Sequence, residues 1–168
     1  NKAVINELIE TVHHHTLSVE MIAKLLEKGL HSPKEILEHL RQNSADPESA
    51  DKIKISKDGI STKETYYNHI RSLFSLYLLD DDYQSIMRNM VLVDEVRIRY
   101  FGKLLELNDT NGINELCELG FIKNSHADLI SLHPMIRDVV LLDLKPSFEN
   151  CDTLITNLKN KLQIIGYE

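Results

Sequence analysis

The run Leu129-Ile-Ser-Leu-His133-Pro-Met-Ile-Arg-Asp-Val-Val140 constrains the fold of this chain more than any other. Leu129 to Leu132 reads as a short apolar strand, and from Pro134 the pattern is that of an amphipathic helix. Strand and helix must therefore meet across His133 and Pro134. Proline suits the first helical turn, where its missing N–H has no partner to lose. The first N–H groups of a helix lack internal acceptors and sit at the positive end of its dipole, so such a junction can hold an anion beside the ionisable ring of His133.

Upstream, the pattern is helical. Val4, Ile5, Leu8, Ile9 and Val12 recur at helical spacing, as do Val19, Ile22, Ala23, Leu25 and Leu26 beyond a break at His13-His-His-Thr-Leu17. Gly29 ends the second helix. Ser32-Pro-Lys-Glu35 supplies an N-cap, a first-turn proline and a capping-box glutamate for a third, carrying Ile36, Leu37 and Leu40. Residues 1–42 thus read as a small helical domain. Residues 43–61 are polar, with a weak hairpin around Ile53 and Ile55, and read as a linker or mobile excursion and as the domain boundary.

Ser61-Thr-Lys-Glu64 is a second capping box, opening a helix with Tyr66, Tyr67, Ile70, Leu73, Phe74 and Tyr77 on one face. Asp80, Asp81 and Asp82 put negative charge at the start of the next helix, where the dipole favours it, rather than forming a metal site. Helices follow around Ile98 to Leu105 and Ile113 to Leu119, the latter ended by Gly120. Phe121 to Ser125, a turn at His126-Ala-Asp128, and Leu129 to Leu132 then predict a two-stranded hairpin. Helices followed by such a hairpin make residues 62–145 a winged-helix domain. Residues 146–168 read as a C-terminal helix opening whatever domain follows. The fold class is mainly α: a helical bundle, a winged helix and a final helix.

Composition excludes several functions. The formal charge of −7 works against general affinity for nucleic acid, which depends on neutralising phosphates. No apolar run approaches the roughly 20 residues that span a bilayer, so the expected setting is cytoplasmic. Cys117 and Cys151 have no CxxC spacing and read as buried free thiols. GxxxxGK[ST], GxGxxG, a serine nucleophile elbow and HExxH are all absent, so no catalytic residue is assigned and the chain by itself is not expected to be an enzyme. His13, His14 and His15 point about 100° apart on a helix and form a joint rather than a metal site. His31 and His39 read as surface residues of the same unit. His133 has two readings, a half-buried histidine bonded to a carbonyl or a donor to a phosphate oxygen.

Residues 112–122, Gly-Ile-Asn-Glu-Leu-Cys-Glu-Leu-Gly-Phe-Ile, followed by a hairpin and Ile130-Ser-Leu-His-Pro-Met-Ile-Arg-Asp-Val139, resemble the winged-helix domain of NB-ARC-type STAND ATPases. Ile-Ser-Leu-His-Pro is similar to the bacterial form of the family's MHD motif, whose histidine, matched by His133, contacts the β-phosphate of ADP in the closed state. Val12 to Leu26 resembles the region of the GLPL motif, which opens the helical (ARC1-like) domain. Thr16 falls on the motif proline that packs beside adenine, and Leu17 on the following leucine. The chain departs from the motif at His13 and His14, which stand at its glycines, and at Thr16.

The resemblance implies a regulatory lid of an ADP/ATP switch, with His133, Pro134, Thr16 and Leu17 as nucleotide-contacting residues. It implies an upstream NTPase core holding the nucleotide and Mg, a downstream sensor domain such as helical repeats, and association of copies on activation. The P-loop and Walker B carboxylates would lie before Asn1, which makes the chain a piece of a longer protein that does not hold nucleotide tightly alone. The alternatives are a winged-helix DNA-binding regulator and a protein-interaction module. Glu115 and Glu118 on the would-be recognition helix disfavour the former, whose support is Arg97, Arg99 and Lys103 on the preceding segment.

Overall fold

The computed structural model describes residues 2–43 and 60–165. They are mainly helical, with a small three-stranded antiparallel sheet, and divide into two compact units, Asn1–Leu78 and Leu79–Glu168.

In the first unit, helix α1 (Lys2–Thr11) packs on α3 (Pro33–Asn43), and α4 (Ile60–Ser75) packs against α2 (Thr16–Glu27) and α3. Each helix buries an apolar stripe: Leu8 and Val12 below α1, Met21, Ile22 and Leu25 on α2, Ile36, Leu37 and Leu40 on α3, Ile70 and Leu73 on α4. The start of α3 is the expected capping box. The Ser32 N–H donates to Glu35 Oε2 at 2.6 Å and the Glu35 N–H donates to Ser32 Oγ at 3.3 Å. The first of these bonds holds the Glu35 carboxyl below its ordinary pKa, and the Ser32 hydroxyl adds to the effect. Beyond α4, the Tyr77 hydroxyl donates to the Met21 carbonyl at 2.7 Å from a buried position, and burial pushes its pKa up.

The second unit runs α5 (Asp81–Met90), β1 (Val96–Arg97), α6 (Ile98–Leu104), α7 (Asn111–Glu118), β2 (Ile122–Asn124), β3 (Leu129–Leu132), α8 (Pro134–Val139) with a π-helical turn over Val140–Leu144, and α9 (Asp152–Ile165). Asp80 caps α5, its Oδ1 accepting the Tyr83 N–H at 2.9 Å. The sheet order is β1-β3-β2, with Val96 opposite Ile130 and Ile122 opposite Leu132. These four side chains are buried, while Ser131 between them is only half-buried, the alternation a one-sided sheet requires. Phe101 and Phe121 are fully buried in this unit. Helix α5 packs on α7 and on the π-helical turn, and α9 on α6. The Asn157 side-chain amide of α9 donates to the Leu104 carbonyl at 2.9 Å, satisfying a carbonyl at the end of α6.

Two features differ from the sequence reading. The sheet has three strands rather than two, because Val96 and Arg97 add a pair to β3 too short to show any periodicity. The helix after the polar stretch also belongs with the first unit and not with the winged-helix segment 62–145, since it buries its apolar face on α2 and α3. The hairpin around Ile53 and Ile55 and residues 44–59 of the linker lie outside the described residues. Among the described residues, no helix is long and apolar enough to cross a membrane.

Candidate functional site

The strand-to-helix junction forms where the sequence puts it. β3 ends at Leu132, His133 is extended with φ −59° and ψ 132°, and Pro134 takes the first helical position. The His133 N–H donates to the Phe121 carbonyl at 3.2 Å, and its own carbonyl accepts the Arg137 N–H at 2.8 Å. The half-buried ring is the N-cap of α8, its Nδ1 accepting the Met135 N–H at 3.2 Å. A nitrogen that accepts carries no proton, so the neutral ring holds its proton on Nε2. One of the unpaired helix N–H groups is therefore used by the imidazole. Pro134 beside it is exposed.

Arg137, one turn along, anchors this helix. Its guanidinium donates to the Val91 carbonyl at 2.6 Å and the Val93 carbonyl at 2.9 Å, and approaches Asp94 at 3.7 Å. It thereby satisfies carbonyls just beyond α5 and fixes the orientation of α8 and, through it, of His133. Nothing local in the sequence marks this role, since the acceptors lie more than 40 positions earlier.

Thr16 and Leu17 belong to the first unit, His133 and Pro134 to the second. Thr16 opens α2 and is exposed, while Leu17 is buried, its side chain given to the core of its own unit. The joint before them has unusual backbone. His13 and His14 are left-handed, with φ 51° and 55°. His13 is the residue after the end of α1 in a Schellman cap: its N–H reaches the Glu10 carbonyl at 2.9 Å and the His14 N–H reaches Ile9 at 3.1 Å. Glycine usually fills that position, and histidine fills it here.

Two further histidines act differently from the surface role read for them. His31 and His39 are half-buried, and their Nε2 atoms meet the Leu76 and Ser72 carbonyls, each at 3.1 Å, at the end of α4. Among the described residues, no three His, Cys, Asp or Glu side chains converge in a metal-holding geometry. Cys151 is buried and Cys117 half-buried, both as free thiols whose pKa burial raises. No protein-family model matches the chain, and no curated protein or solved structure matches it significantly.

Proposed function

We propose that this chain is the regulatory lid of an ADP/ATP-operated switch of the NB-ARC type, acting on nucleotide held by an NTPase core of the same protein. The observation that carries the reading is the position of His133 at the β3–α8 junction, as the N-cap of α8. Its Nδ1 accepts the Met135 N–H and its helix is anchored by Arg137, so the ring is held in one orientation at the junction that the MHD-like motif assigns to the nucleotide phosphate. Bound ADP supplies the anion, and the chain supplies a rigidly held imidazole. A ring that meets the phosphate in one arrangement only gives the differential contact that a ligand-driven switch requires.

Two features of the backbone support the reading. The second unit has the order helix, strand, helix, helix, strand, strand from α5 to β3, with the first strand paired to the last, as in a winged helix. His13 and His14 occupy the positions of the GLPL-like glycines and keep a glycine-like, left-handed conformation. Thr16, exposed at the start of α2, is the side chain of this segment offered to adenine. The exposed face of α7 carries Asn111, Asn114, Glu115 and Glu118 and no cation, which argues against a DNA-reading helix.

In the full-length parent protein, His133→Ala should speed release of a fluorescent ADP about 10- to 100-fold, the equivalent of the roughly 1.5–3 kcal/mol carried by a hydrogen bond to a charged group. His133→Asn retains an N-capping acceptor and removes the imidazole, which separates loss of the ring from loss of the cap. Unchanged ADP release in both variants would overturn the assignment.

A further inference from the structure

Six of the eight histidines lie in the first unit, at positions 13, 14, 15, 31, 39 and 69, and three of them meet where the α1–α2 joint covers α4. The His15 ring stacks on Tyr66 with centroids 4.7 Å apart, and His13 meets the same Tyr66 ring edge-on at 6.2 Å. His13 also lies 6.0 Å from the ring of His69. His69 is 4% exposed, and its Nδ1 is a buried atom without a hydrogen-bond partner. A buried imidazole tolerates this state when neutral; as a cation it would carry an uncompensated charge beside two other ionisable rings.

We propose that this cluster is an acid-released latch: with its rings neutral it holds the α1–α2 joint on α4, and protonation of His69 frees the joint. The idea stands independently of the nucleotide-switch reading. The groups around His69 are His13 and His15 from the joint, Tyr66 on its own helix, and His39 of α3 one turn further on at the Ser72 carbonyl. Glu10, a carboxylate on the last turn of α1, is 3.2 Å from His14, both side chains exposed. Burial first, then the charges of His13 and His15, hold the His69 pKa below the ordinary histidine value of 6.5.

The sign follows from proton linkage. Below about pH 6.5 the open joint takes up the proton before the closed one, so the closed form is fully favoured above that pH and loses ground as the pH falls through the window beneath it. One such group shifts the equilibrium by up to about tenfold per pH unit. The joint is suited to respond. Left-handed His13 and His14 are exposed, and their backbone, costly for residues other than glycine, is held by bonds back to Glu10 and Ile9 at the end of α1.

The test uses the whole 168-residue chain. Histidine ring resonances are titrated by NMR, and amide exchange at residues 12–18 is compared between pH 7.5 and 5.5 after correction for intrinsic rates. His69 should titrate below 6.5, the joint amides should lose protection by up to about tenfold, and His69→Leu should remove that loss. Titration of His69 at or above 6.5, pH-independent protection of the joint, or an unchanged response in His69→Leu would each overturn the latch. Should the leucine variant fail to fold, the titration and exchange of the natural chain decide the matter.

Discussion

At the scale of single residues, much of this molecule is written in how its helices stop. Gly29 and Gly120 follow α2 and α7 with φ 65° and 80°, and each is the centre of a Schellman cap, with Leu30 bonded back to Leu25 and Phe121 back to Leu116. Both glycines were legible as helix ends because glycine is the residue that adopts this conformation without strain. His13 and Glu106 do the same work after α1 and α6, and the sequence carries no sign of it. A Cβ added at Gly120 meets nothing within 4 Å, so the cost of Gly120→Ala is conformational alone. Chemical denaturation should show a loss of about 1 kcal/mol. His133 was legible as a junction residue from Leu-His-Pro. The role of its Nδ1 as a cap acceptor was not, because a ring orientation leaves no trace in spacing.

At the scale of elements, periodicity found the helices and missed what holds them to one another. Helix α8 illustrates this: Pro134 marks its start, but its anchor is Arg137 reaching back to Val91 and Val93. Arg137→Met keeps the stem and removes those donors, leaving two carbonyls short of a partner. The variant should lose about 2 kcal/mol of stability in urea denaturation, with little change in helix content by circular dichroism. Under the proposed ADP/ATP switch the same substitution should also speed ADP release, because α8 carries the anchor that orients His133. Strand β1 was invisible for a simpler reason. Its two residues have no alternation to read, and only the pairing of Val96 with Ile130 makes them a strand.

At the scale of the whole molecule, the division between Leu78 and Leu79 was not legible, because the eye follows the polar composition of 43–61 while packing follows contacts distant in sequence. Tyr77 to Met21, His31 to Leu76 and His39 to Ser72 tie α4 and the residues after it to the first three helices. The two units carry different chemical reporters. Both thiols are in the second, where burial holds them protonated, whereas the acid-sensitive ring is in the first. Thiol modification by a pyridyl disulfide should therefore be slow in the folded chain, and at pH 5.5 it should stay slow even as the joint amides open. Acid-induced exposure of Cys117 and Cys151 in step with those amides would instead mean one cooperative transition. The sheet has a bearing on association between copies. Its outer strands are two and three residues long and carry the exposed cations Arg97 and Lys123. A strand arriving from a neighbouring molecule finds at either side too short a ladder to register on and a charge to bury, so the sheet resists edge-to-edge polymerisation.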